Sequence, residues 1–200
     1  MSCESISEQV GKTGLCIWPD FLSKESLIET RADFDEIQRS GGFVRASTGQ
    51  GKDKEIRDLR RDEVYWIDNA DTNPVQNRLL NKLDLLKTEL NRTLFLGITH
   101  FEGHYSAYPS GGFYRRHLDC FHKDDARIVT LVLYLNRNWK SADGGNLRIY
   151  DKDSYTDVDP HGGTLVCFLS RESEHEVLEN HEPRSSFTGW FKANTGKDWL

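Results

Sequence analysis

Apolar positions follow two regimes along the chain. In the first hundred residues they recur at helical spacing. Leu79, Leu80, Leu83, Leu86 and Leu90 fall at i, i+1, i+4, i+7 and i+11, which is one helical stripe. Asn73-Pro74 ahead of it supplies a capping side chain and then proline at the first helical position, where no N–H is needed. An earlier helix of about 17 residues is expected after the cap Ser23; it carries Leu27, Ile28, Phe34 and Ile37 and stops at Gly41-Gly42. Each helix is expected to bury one face against a sheet.

From Phe101 the texture changes. Short runs rich in Val, Ile, Leu, Tyr, Phe and Thr predict strands near 101–108, 113–118, 127–136, 146–150, 163–169, 174–178 and 184–193. Turns separate them at Pro109-Ser110-Gly111-Gly112, Asp143-Gly144-Gly145, Pro160-His161-Gly162-Gly163 and Asn180 to Pro183. Many short strands with regular turns argue for an antiparallel sandwich or barrel rather than βαβ units. The expected fold class is α+β, mainly β. It has a jelly-roll core (double-stranded β-helix) over about 101–193, and helices from about 1–100 pack on one sheet. No linker divides the chain, so one domain is expected over 1–200. Arg45 to Glu63 holds six basic and five acidic residues, which makes it a mixed-charge loop rather than a basic arm.

Composition narrows the function classes. There is no run of 18 apolar residues, so no membrane span is expected, and Met1 to Val10 lacks the apolar stretch of a signal peptide. A net charge of −6 argues against nucleic acid and anionic membranes as partners. Cys3, Cys16, Cys120 and Cys167 are widely spaced, which fits a reducing, cytoplasmic compartment better than a disulfide framework.

The chemistry centres on His117-Leu118-Asp119. On an extended segment the imidazole and the carboxylate point to the same side and can hold one edge of a metal. Two histidines and one carboxylate on one face of an octahedron leave three positions open, the arrangement of non-haem iron(II) oxygenases. The spacing alone is a weak signal, since His122-Lys123-Asp124 repeats it in a charged turn; His117 follows the aromatic strand Phe113-Tyr114 and is favoured. His161, His175 and His181 are the candidates for the third ligand. Further on, Arg184, Ser186, Thr188 and Trp190 share one face of an alternating strand with no acidic residue among them. An arginine pointing into a barrel needs an anionic partner, which is either a distant Asp or Glu or the carboxylate of a small molecule.

His117-x-Asp119, then His175, then Arg184 nine residues later resembles the Fe(II)- and 2-oxoglutarate-dependent dioxygenases. Tyr105 to Asp119 (YSAYPSGGFYRRHLD), Arg127 to Trp139 (RIVTLVLYLNRNW) and Gly144 to Ile149 (GGNLRI) are similar to the prolyl hydroxylases of the hypoxia-sensing type. Leu59 to Ile67 (LRRDEVYWI) resembles the end of that family's mobile finger loop, placed here at about 45–63. The small size looks like the bacterial branch, whose target is a proline of elongation factor Tu.

The resemblance implies that His117, Asp119 and His175 hold Fe(II). 2-Oxoglutarate would meet Arg184, Tyr134 and Thr188 through its distal carboxylate, with Tyr108 near the metal and Leu147 and Val177 as apolar walls. Trp190 and Tyr114 would border the prolyl pocket. Arg60, Asp62 and Arg127 would belong to the substrate side, with Arg127 pairing Asp62 to fix the loop. The implied reaction is hydroxylation of a prolyl residue at the fourth ring carbon. It consumes O2, turns 2-oxoglutarate into succinate and CO2, and can draw on ascorbate as reductant. Two other readings stay open: an oxygenase of the same kind acting on a free amino acid or other small molecule, and a jelly-roll binding module without catalysis.

Overall fold

The computed structural model describes residues 2–47, 58–120 and 126–194. Three helices come first: α1 (Cys3–Thr13), α2 (Lys24–Arg39) and α3 (Pro74–Leu94). Their starts follow the capping chemistry. Ser23 accepts from the Ser26 N–H, and Asn73 accepts from Val75 and Gln76 while Gln76 reaches back to the Asn73 N–H. Leu79, Leu83, Leu86 and Leu90 are buried along α3. Ile28, expected on the inner face of α2, is instead exposed, because it lies one helical step round from Leu27 and Phe34 takes the core position.

Eleven strands are seen among the described residues. A seven-stranded antiparallel sheet runs β1 (Leu15–Trp18), β9 (Leu165–Leu169), β6 (Arg127–Tyr134), β11 (Arg184–Ala193), β4 (Ile98–Tyr108), β3 (Glu63–Trp66), β2 (Val44–Arg45). A four-stranded sheet runs β5 (Tyr114–His117), β10 (His175–Val177), β7 (Leu147–Asp151), β8 (Ser154–Val158). This is the jelly-roll core with helices on one sheet.

The period of two along the large sheet divides its side chains between two cores. On one face Tyr105, Ala107, Val129, Leu131, Leu133 and Phe187 pack with the helices. On the other, Tyr108, Val132, Tyr134, Val166 and Phe168 pack with Leu147, Ile149 and Val177 of the small sheet. Gly103 and Gly189 face each other across β4 and β11 on the helix side. A Cβ at either would come within 2.7 Å of the Phe187 or Phe101 ring, so the two glycines let Phe101 lie flat on the sheet.

Candidate active site

Strand register assembles the site in rows on the inner face of the large sheet. Across β4, β11 and β6 the rows read Tyr108–Arg184, then Ser106–Ser186–Tyr134, then His104–Thr188–Val132, then Glu102–Trp190–Thr130. The small sheet closes over them, with His175 opposite His117 and Val177 opposite both Leu147 and Tyr114. All of these except Tyr134 and Glu102 line one cavity, which Arg60, Trp66 and Arg127 also border.

His117, Asp119 and His175 meet at one end of the cavity. Their ligand atoms all lie within 4.8 Å of one another. Asp119 presents Oδ1 to His117 Nε2 and Oδ2 to His175 Nε2, each at 3.5 Å. Both imidazoles are turned by backbone: His117 Nδ1 donates to the Arg115 carbonyl at 2.7 Å and His175 Nδ1 to the Ser173 carbonyl at 3.0 Å. That fixes the tautomer and leaves each Nε2 lone pair aimed at the shared point, as a metal requires. The Thr130 hydroxyl donates to Asp119 Oδ2 at 2.8 Å and itself contacts Ser170. Burial alone would raise the Asp119 carboxyl, but His175, His117 and the Trp190 indole outweigh it and hold the group well below the usual range. The indole N–H falls short of a regular hydrogen bond to that carboxylate. Burial, followed by His117, pushes His175 down, partly opposed by Asp119, which favours the neutral ligand form. Two neutral imidazoles and one carboxylate fit a divalent first-row metal such as Fe(II).

At the other end lies Arg184, only 2% exposed. Its Nε donates to the Gly145 carbonyl at 3.0 Å, a contact made by a backbone at φ +67 that suits glycine. Its Nη1 donates weakly to Ser186 Oγ at 3.3 Å, while Nη2 has no partner among the described residues. The Tyr134 hydroxyl is likewise buried without a partner, and its ring centroid is 5.2 Å from the Arg184 guanidinium carbon. Burial raises the Tyr134 hydroxyl to about 12 against the pull of Arg184, so it stays a proton donor. A buried guanidinium and a phenol with unsatisfied donors side by side fit a carboxylate such as the distal end of 2-oxoglutarate. Tyr108, expected near the metal, instead closes this end, because the register sets it opposite Arg184 with its ring centroid 4.9 Å from the guanidinium carbon; Leu147 and Val177 supply the apolar flanks.

The mouth is aromatic. Tyr114 stacks on His117 at 3.7 Å and carries the Arg60 guanidinium on its ring, 4.2 Å from the centroid. Trp66, half exposed, faces Trp190 at 6.1 Å.

One expected pair is not formed. Arg127 does not reach Asp62; it pairs with Glu102 at 2.8 Å and lies over the Trp190 ring at 3.7 Å. Asp62 is engaged by Arg60 two residues away through two parallel bonds of 2.6 and 2.5 Å. The physical reason is register: Glu102 on β4 lies opposite Trp190 of β11, and Arg127 at the start of β6, on the other side of β11, reaches it by crossing the Trp190 ring. His161 and His181, the other candidates for a third ligand, are exposed and join no cluster. The motif His122-Lys123-Asp124 and most of the 45–63 loop lie outside the described residues.

The sequence reading passed over Thr130, Ser106, His104 and Trp66 as site residues. Stepping by two from Tyr108 back to His104, and from Tyr134 back to Thr130, finds three of them.

The fold and this site define an oxygenase of the Fe(II) and 2-oxoglutarate class: the chain belongs to the 2OG-Fe(II) oxygenase superfamily, whose family profile matches residues 103–192. Its members use Fe(II), 2-oxoglutarate and O2. The chain is similar over its length to a prolyl-4-hydroxylase of Pseudomonas putida, with 36% identity, a TM-score of 0.87 and coverage of 96% of this chain and 100% of that one. A prolyl hydroxylase of Trichoplax adhaerens, solved with a hypoxia-inducible factor peptide, matches at 28% identity and a TM-score of 0.86, covering 95% and 88%. The hypoxia-inducible factor prolyl hydroxylase of Caenorhabditis elegans is 29% identical over 98% of this chain, which spans only 29% of that longer protein. No described helix is long and apolar enough to cross a membrane, and none of the four cysteines forms a disulfide.

Proposed function

We propose that this protein is a peptidyl-proline 4-hydroxylase acting on a protein substrate, with elongation factor Tu as the target. The observation that carries the reading is the presence, in one cavity, of the three-ligand cluster and of Arg184 with an unsatisfied donor, the equally unsatisfied Tyr134 hydroxyl lying buried beside that arginine. The aromatic mouth and the full-length likeness to the Pseudomonas putida enzyme support proline as the substrate residue.

In this reading His117, Asp119 and His175 hold Fe(II). Bound iron with 2-oxoglutarate and O2 supplies the oxidising power that places one oxygen atom on a C–H bond while 2-oxoglutarate becomes succinate and CO2. Arg184 and Tyr134 grip the distal carboxylate, helped by Thr188 on the same face of β11 as Arg184. Tyr108 closes the end of the cavity beside Arg184 and, with Leu147 and Val177, excludes water. Trp190 and Tyr114 flank the prolyl ring. Arg60, braced by Asp62, holds Tyr114 in place, and Arg127 supports Trp190 from its face.

Mass spectrometry of elongation factor Tu after incubation with enzyme, Fe(II) and 2-oxoglutarate tests this. One added oxygen on a proline, with stoichiometric succinate, is the expected result. Succinate coupled to a free amino acid but to no peptide would overturn the protein substrate.

A further inference from the structure

His104 is a buried polar residue that the roles above leave unused. Its relative exposure is 3%, and it lines the cavity between two indoles, 4.7 Å from Trp66 and 5.4 Å from Trp190 by ring centroids. Its Nδ1 is turned back onto its own strand, 3.3 Å from the Tyr105 carbonyl and 3.0 Å from Ser106 Oγ. A carbonyl can only accept, so Nδ1 carries the proton and donates. Nε2, on the opposite edge of the ring, is then a lone-pair acceptor with no partner among the described residues.

Burial, together with Arg60 and Arg127, pushes this imidazole down to about 3 against the weaker opposing effects of the Tyr105 carbonyl and Asp119, so the ring is neutral at ordinary pH. On the same cavity wall lie the guanidiniums of Arg60 and Arg127, Arg60 held by Asp62 and Arg127 by Glu102. An acceptor on the cavity wall that no described side chain engages is available to a bound ligand.

If the substrate is a prolyl peptide, as proposed above, the candidate donor is constrained. Proline has no N–H of its own. The nearest main-chain donor on the C-terminal side is the N–H of the next residue, and its side-chain identity does not matter. We infer that His104 is a substrate-binding residue whose Nε2 accepts the main-chain N–H of the residue that follows the target proline. The two indoles set the ring's plane, and Ser106 with the Tyr105 carbonyl sets its tautomer.

The experiment uses the full chain, loaded with Fe(II) and 2-oxoglutarate, and a panel of proline-containing peptides that includes segments of elongation factor Tu. For the best substrate an ester-linked analogue is made in which oxygen replaces the N–H after the proline. His104→Leu is expected to raise the peptide KM by about fivefold to tenfold, the worth of one neutral hydrogen bond, while moving the 2-oxoglutarate KM far less. The ester is expected to cost the wild type a similar factor and to cost His104→Leu nothing further. His104→Gln, whose Oε1 can accept, is expected to recover part of the loss and to regain sensitivity to the ester. Equal penalties for the ester in wild type and His104→Leu would overturn the assignment and leave His104 as a spacer between the indoles. A wild type that turns over no peptide would overturn the peptidyl-proline reading, and this inference with it.

Discussion

Arg184 Nη2 and the Tyr134 hydroxyl are buried next to each other, and neither has a protein partner among the described residues. Two donors in that position wait for one acceptor, and removing either tests which acceptor it is. Arg184→Ala is expected to raise the 2-oxoglutarate KM by about 100-fold, since charge-assisted hydrogen bonds are worth about 1.5–3 kcal/mol each. Tyr134→Phe is expected to raise it by about five- to tenfold. Binding of Mn(II) as a stand-in metal, followed by electron paramagnetic resonance, should survive both changes. An unchanged 2-oxoglutarate dependence in Arg184→Ala would remove the carboxylate role.

His175→Ala is expected to abolish 2-oxoglutarate turnover and to lower Mn(II) affinity, because it deletes one of the three ligands. Turnover at the wild-type rate would exclude His175 from the centre.

Thr130 does not touch the metal position but holds Asp119 Oδ2. Thr130→Val keeps the shape and removes the hydrogen bond. Metal affinity measured by titration calorimetry is expected to fall about 10- to 100-fold, the usual worth of a group that orients a ligand. A value within twofold of wild type would mean that Asp119 is positioned by other contacts.

The two arginine pairs at the mouth should differ in stability cost. Asp62 has a fully buried side chain, and Arg60 is 12% exposed. Asp62→Ala strands a buried guanidinium and is expected to cost about 3–5 kcal/mol in urea denaturation. The Arg127–Glu102 pair is 22% and 30% exposed, so Glu102→Ala is expected to cost less than about 1 kcal/mol. Equal costs would contradict the burial difference.

His104 makes stability depend on pH in a defined direction. Its pKa is lowered to about 3 in the fold from an ordinary 6.5. As pH falls below 6.5 the unfolded chain takes up a proton that the native state refuses, so the contribution is full above 6.5 and is lost as pH falls toward 3. The wild type is expected to lose about 2 kcal/mol between pH 7 and pH 5 from this group. His104→Gln should show that much less acid sensitivity in parallel denaturation curves. Superimposable pH profiles would mean that His104 is charged in the native protein.

Much of the architecture was legible in residue patterns. The leucine stripe of α3 and its Asn73-Pro74 start are local signals, as are the alternating strands of the large sheet. Several other short elements were not legible. α1 offers only Ile6 and Val10 as buried apolar anchors, β8 is exposed at four of its five positions, and β2 and β3 span two and four residues. Such segments take their structure from neighbours rather than from their own pattern.

The site divides in the same way. His117 with Asp119 is visible because period two places them together, and Arg184 because it is a lone charge on an alternating face. Arg127 was matched to Asp62 on resemblance, and only the strand register shows that Glu102 is closer. His104 and Thr130 escaped notice because nothing local distinguishes a polar residue lining a cavity from one facing solvent.

Gly103 and Gly189 occupy the helix side of the sheet, directly behind His104 and Trp190. Because the Phe101 ring fills the space where a β-carbon of either glycine would sit, the back of this wall has no room for even one more carbon. A methyl group added at either glycine would act as a shim, shifting the two strands from behind without altering any atom that meets the substrate. Selectivity could therefore be retuned from the reverse of the sheet.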